Sequence, residues 1–169
     1  MRENAVDDIA SLPPNAELDT SVFLDGVIFH PPDYAPYERI EPLYDDIKDA
    51  EEIVAVSEVL VPHIDKILEQ GLKEDIDVSL FVNDGAMNVL LEKQPNKVIP
   101  HIESSDTIYR GIEISQYSLF LIDGEILYTG IFSPTNHLST IIRNKNHQAI
   151  QWATRLVSHL KDEGTLLTA

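Results

Sequence analysis

The sequence predicts a mixed α/β fold: a sheet with a parallel β-α-β portion and an antiparallel extension, with helices packed on its faces. Three observations predict it. The runs Ile53-Val54-Ala55-Val56 and Val78-Ser79-Leu80-Phe81-Val82 are continuously apolar or nearly so, as strands buried on both faces are, and a helical pattern lies between them. Strands joined by such a crossover helix run parallel. Asp123-Gly124 separates the apolar runs Tyr117–Ile122 and Ile126–Phe132, a hairpin signal because both turn residues must tolerate positive φ. Ala149, Trp152, Ala153, Leu156, Val157 and Leu160 recur at spacings of three and four, the stripe of one amphipathic helix.

The remaining elements follow in order. Residues 1–20 are polar and acidic around Pro13-Pro14 and read as a linker or partial helix; residues 21–164 read as one domain and 165–169 as a tail. Val22 to Phe29 is a short apolar segment, followed by an extended connection through Pro31, Pro32 and Pro36, since proline fixes φ and lacks a donor. Tyr37 to Ala50 reads as a helix with Ile40, Leu43, Tyr44 and Ile47 on one face. Another helix is expected from Pro62, with Ile64, Ile67 and Leu68 inward and Gly71 placed to end it. Asn83-Asp84 would cap a helix from Gly85 to Lys93. Pro95 and Pro100 punctuate what reads as a loop. Thr107 to Ile114 alternates as a strand does, and Leu138 to Ile142 supplies one more.

Composition narrows the function classes. The chain has 169 residues and 43% hydrophobic content, enough for one ordinary domain with a core. It lacks a long apolar run and a signal-peptide pattern, so no membrane contact is expected and a cytoplasmic location is. With no cysteine there is neither a disulfide nor a thiolate metal site. The net charge of −17 repels phosphate, so the chain alone is not expected to bind nucleic acid. The acids are scattered rather than clustered, which favours solubility at high salt and a salt-loving source over a patch for a basic partner or a divalent metal.

The search for chemistry leaves few candidates. Phosphate-cradling glycine loops, GxSxG, HExxH and EF-hand patterns are absent. His30, His63, His101, His137, His147 and His159 show no metal-ligand spacing and read as surface residues; no metal and no cofactor is expected. Ser57 ends one central strand and Asn83-Asp84 ends its neighbour, and ligands of open α/β sheets sit beyond the carboxyl ends of strands. The same residue types also cap helices and satisfy turns. Tyr109, Tyr117 and Tyr128 on the antiparallel strands would give an aromatic wall with polar tips, or ordinary cross-strand packing. The candidate ligand-binding set is therefore Ser57, Asn83, Asp84, Tyr117 and Tyr128. Trp152 reads as a core anchor between helix and sheet, its truncation costing more than that of any histidine. Tyr34-Ala35-Pro36-Tyr37 reads as an extended loop against the domain or a partner contact.

A family resemblance rests on specific stretches: Asp33-Tyr34-Ala35-Pro36-Tyr37 with the helix to Ala50, Ile53–Ser57, Val78–Val82, Tyr117–Asp123 with Gly130, and Ala149-Ile150-Gln151-Trp152-Ala153. Over about 22–163 the chain resembles the effector domain of archaeal winged-helix transcriptional regulators, of the methanogenesis- or filament-regulatory type abundant in halophilic archaea. The resemblance implies a small-molecule effector, a homodimer, and DNA contact only through a separate winged-helix domain. That domain is missing here, and Leu12-Pro13-Pro14 reads as the linker that would follow it, so an excised module or a stand-alone relative is expected. Similar archaeal sensors have a phospholipase-D-like architecture. The His-x-Lys-x4-Asp element of the active enzymes is missing, so no catalysis is expected. Two rival readings stand beside this one: a degenerate hydrolase using Ser57 or a histidine, and a purely structural dimerisation domain.

Overall fold

The computed structural model describes residues 18–31, 41–57, 62–103, 107–113, 117–135 and 137–167. Eight strands form one sheet in the order β1-β7-β6-β5-β2-β3-β4-β8. The strands are β1 (Val27–Phe29), β2 (Glu52–Ser57), β3 (Asp77–Val82), β4 (Thr107–Arg110), β5 (Tyr117–Ile122), β6 (Ile126–Phe132), β7 (Leu138–Asn144) and β8 (Thr165–Leu166). The helices are α1 (Glu41–Lys48), α2 (Pro62–Glu74), α3 (Asp84–Lys93), α4 (Pro95–Glu103) and α5 (His147–Glu163), and a 3-10 turn spans Thr20–Phe23. β2 pairs parallel with β3, and β3 with β4. On its other side β2 pairs antiparallel with β5, and β6, β7 and β1 continue in that sense. The mixed sheet follows the sequence pattern, with β2 as the seam between the two modes.

Helices cover both faces unequally. Leu43 and Ile47 of α1, Ile64, Ile67 and Leu68 of α2, Met87 and Leu90 of α3 and Val98 of α4 pack on one face. The other face holds α5 through Ala149, Ala153, Leu156 and Leu160, together with Leu18 and Val22 at the 3-10 turn. The Asp123-Gly124 turn has φ of 54° and 64°, as the hairpin reading requires. Asp123 Oδ1 accepts from the backbone N–H of Glu51 and of Glu52, both at 2.9 Å, tying the turn to the start of β2.

Several local expectations change. Gly71 does not end α2; it lies inside the helix, where a Cβ would stand 2.7 Å from Val78 Cγ2 and 2.9 Å from His101 Cε1. The glycine is there for close approach, and α2 stops before Asp75, which takes positive φ of 54°. The proline-punctuated loop is α4, with Pro95 at its first position and Pro100 inside it. Burial of Val98 and His101, three residues apart on one face, outweighs the cost of the proline in so short a helix. Two histidines leave the surface: His63 and His101 are both buried. His101 Nε2 lies 2.8 Å from the Leu68 carbonyl oxygen. The sheet also reaches past Gly164, because β8 pairs with β4 at Tyr109–Leu166 and Arg110–Thr165. Trp152 is only half-buried, 6.2 Å from Tyr117 between ring centres. Tyr34, Ala35, Pro36 and Tyr37 lie outside the described residues.

Candidate functional site

The five residues singled out from sequence do not converge on one place. Asn83 is the N-cap of α3, its Oδ1 accepting from Ala86 N–H at 2.7 Å. Asp84 opens that helix and pairs with Arg110, whose Nε stands 2.6 Å from Asp84 Oδ1. Arg110 also donates to Asn88 Oδ1 at 2.7 Å, so the ends of β3 and β4 are fastened by a polar clasp. Asn83 and Asp84 thus do structural work, as such residues do at helix starts. Ser57 is fully buried opposite Ser118 of β5 and beside Val82 of β3. Tyr117 and Tyr128 fall on opposite faces: Tyr117 joins the layer under α5, and Tyr128 the layer under α1 and α2. Alternation along a strand decides this, since the register sets Tyr128 against Phe120 and leaves Tyr117 on the other parity. Tyr109 shares the α5 face and stacks on Phe81 at 4.9 Å, so no three-tyrosine wall exists.

Tyr128 does mark a cleft. It is lined by Leu43 of α1, His63 of α2, Ser118 and Phe120 of β5, Tyr128 and Gly130 of β6, and Leu138 and Ile141 of β7. Its interior has room for about one water. His63 meets the edges of Tyr44 and Phe120, with ring centres 6.0 and 6.5 Å away. Gly130 shapes the floor: a Cβ there would stand 2.7 Å from Ser118 Oγ and 3.0 Å from Leu138 Cδ1.

One rim of the cleft is a charged knot. The Tyr128 hydroxyl donates to Asp46 Oδ2 at 2.5 Å. Arg143 Nε donates to Asp46 Oδ2 and to the Tyr128 oxygen, each at 3.0 Å. Burial, then the hydrogen bond to Asp46, pushes the Tyr128 phenol well above its usual pKa, so it stays neutral and donating. The same carboxylate, as a hydrogen-bond acceptor, raises the pKa of Arg143. Asp46 stands three residues after Leu43 on α1, and Arg143 two after Ile141 on β7, so knot and cleft share both their roof and their floor.

Sequence reasoning missed Asp46, His63, Ser118, Gly130, Leu138, Ile141 and Arg143 as parts of one site. A signal existed for two of them. Asp46 sits on the apolar face of its helix, and extending the β7 alternation to Asn144 sets Arg143 on the inward parity beside Ile141. Opposite charges on two inward faces announce an ion pair. Among the described residues no group of three or more metal-ligating side chains gathers.

Comparison with known proteins places the fold and the family. TrmBL2, an archaeal chromatin protein whose structure shows a novel mode of DNA binding, is similar over 96% of this chain at 11% identity and a TM-score of 0.61. Nuc, a phospholipase D family member from Salmonella typhimurium, is similar over 86% of this chain and 99% of its own, at 15% identity and a TM-score of 0.50. Polyphosphate kinase from Porphyromonas gingivalis is similar over 93% of this chain, at 17% identity and a TM-score of 0.54. The chain spans 58% of the length of TrmBL2 and 29% of that of the kinase, and at these identities the likeness shows the fold. No protein of curated function matches. Residues 36–163, more than half of the sequence, match the family described as the methanogenesis regulatory protein FilR1, middle domain. This chain therefore belongs to the FilR1 middle-domain family.

Proposed function

We propose that this chain is the effector module of an archaeal transcription regulator, non-enzymatic, sensing a small molecule and dimerising while a separate winged-helix domain contacts DNA. The observation that carries the reading is the family match over residues 36–163. The cleft beneath α1 supports it, because a helix laid over a nearly filled, polar-rimmed cleft can take a second position when a ligand fills the space. A ligand with unequal affinity for the two arrangements shifts their populations, and an attached domain reads the shift. Ser57 is fully buried and is not among the residues that line the cleft, which disfavours the hydrolase reading built on it.

Native mass spectrometry of protein purified gently from its source tests both halves of the proposal. A dimer carrying a bound small molecule supports it; a dimer without one reduces it to dimerisation, and a bare monomer removes it. Labelled duplex DNA at low salt is expected to show no saturable binding tighter than about 10⁻⁶ M, given the net charge of −17. The same charge motivates a halophilic source: the melting temperature is expected to rise from low to molar KCl as the Debye length falls to about 3 Å. A flat or falling profile defeats that part.

A further inference from the structure

A positive charge stands at the rim of the α1 cleft in a chain of net charge −17. The Arg143 side chain is 25% exposed and that of Asp46 is 18% exposed. Both hydrogen bonds that Arg143 makes among the described residues leave from Nε, one to Asp46 and one to Tyr128. Its two terminal nitrogens make none to any described residue. A guanidinium is a planar fork matched to a carboxylate taken two-handed, and this fork is engaged at a single corner. The cleft that Tyr128 lines is otherwise mostly apolar, with Leu43, Phe120, Leu138 and Ile141, and carries Ser118 and His63 as its other polar side chains. The interior holds about one water, so a larger guest requires α1 to lift.

We propose that Arg143 and Tyr128 form a binding site for the carboxylate of a small aliphatic acid, and that the Asp46 side chain occupies that site when no acid is bound. The proposal rests on the sensing role above and names its ligand class. One guanidinium and one neutral phenol balance one negative charge, which suits a monocarboxylate better than a phosphate dianion. The acid displaces Asp46, its alkyl part enters between Leu43 and the sheet, and α1, no longer held by its carboxylate, changes position. Asp46 is then a built-in competitor that sets the affinity.

Isothermal titration of the folded chain at constant ionic strength tests this, with acetate, butyrate and hexanoate as probes and butyramide as the uncharged control. At least one acid is expected to bind the wild-type chain more tightly than butyramide. Asp46→Asn is expected to strengthen acid binding by tenfold or more while leaving butyramide unchanged. Arg143→Lys, which keeps the charge but loses the fork, is expected to weaken it by about tenfold, and Arg143→Met to abolish it. Circular dichroism checks that each variant is folded. If none of the three acids binds wild type or Asp46→Asn better than butyramide does, the proposal is wrong and the knot is only a fastening for α1. A neutral molecule found in the cleft by native mass spectrometry would leave the sensing role standing and overturn the carboxylate site.

Discussion

The two faces of the sheet bury their tyrosine hydroxyls in opposite ways. Under α1 and α2, the hydroxyl of Tyr128 joins a knot with Asp46 and Arg143. Under α5, the Tyr117 hydroxyl, Thr129 Oγ1 and Asn144 Oδ1 are buried with no partner among the described residues. Asn144 is half-satisfied, its Nδ2 donating to the Val22 carbonyl at 2.7 Å. A partnered buried polar group contributes modestly, whereas an orphan carries its full desolvation cost, about 1–3 kcal/mol. The four-helix face therefore holds its tyrosine hydroxyl as structure and a candidate site, although Gln94 Oε1 there is also buried with no partner among the described residues, and the single-helix face holds its tyrosine hydroxyl as a stability deficit.

The largest expected effect contrasts two ring side chains. His101→Ala should cost about 2–4 kcal/mol, because it empties a fully buried position against Gly71 and removes the contact with the Leu68 carbonyl. Trp152→Ala should cost about 2 kcal/mol or less, roughly half the value for a fully buried tryptophan. Denaturant melts give the order, and the reverse would return Trp152 to the core. Next comes Gly130→Ala, expected to destabilise by about 1–3 kcal/mol through overpacking. Adding Ser118→Ala should recover part of that loss, because Ser118 Oγ is the nearest clash; strict additivity would show that the strain lies elsewhere.

A matched pair of tyrosine variants sharpens the comparison of faces. Tyr128→Phe should cost about 0.5–1.5 kcal/mol, and Tyr117→Phe should be neutral or stabilising, since only the first removes a made hydrogen bond. Both phenols have pKa values raised by burial. Neither phenol makes stability depend on pH below the unfolded tyrosine value of about 10; above it the unfolded phenols ionise while the folded ones stay protonated, so stability falls as pH rises towards the folded values. Tyr117→Phe should accordingly lose less stability than wild type between about pH 10 and 11, read from denaturant melts at each pH. The smallest effect is Thr129→Val, a gain of about 1 kcal/mol at most by deleting an orphan hydroxyl. A loss there would mean that the hydroxyl has a bound water as its partner.

Much of the architecture was legible because it depends on short-range pattern. The continuous apolar runs at Ile53–Val56 and Val78–Val82, the Asp123-Gly124 turn and the three-four spacing from Ala149 to Leu160 are each local signals, and each became the expected element. α4 was hidden because two prolines outweigh a nine-residue helical pattern when tertiary burial is unseen. β8 was hidden because two residues carry no period. The site was less legible still. Of the five candidates only Tyr128 lines the cleft, since a cleft is made where α1, α2 and three strands meet and no local pattern encodes that meeting. Asn83 and Asp84 were read correctly as capping residues, yet the position beyond a strand end told nothing about the cavity.

The strand order has a mechanical consequence. β1 and β8 are the two edges of the sheet, so the segments leading into β1 and out of β8 depart from opposite sides. At about 4.8 Å per strand the edges are on the order of 30 Å apart. Tension applied at the two edges acts across the strands, along the ladder bonds, and would peel the sheet one strand at a time from its short ends. The three-residue β1 and two-residue β8 would yield first, while β2, paired on both sides at the seam, would be held longest.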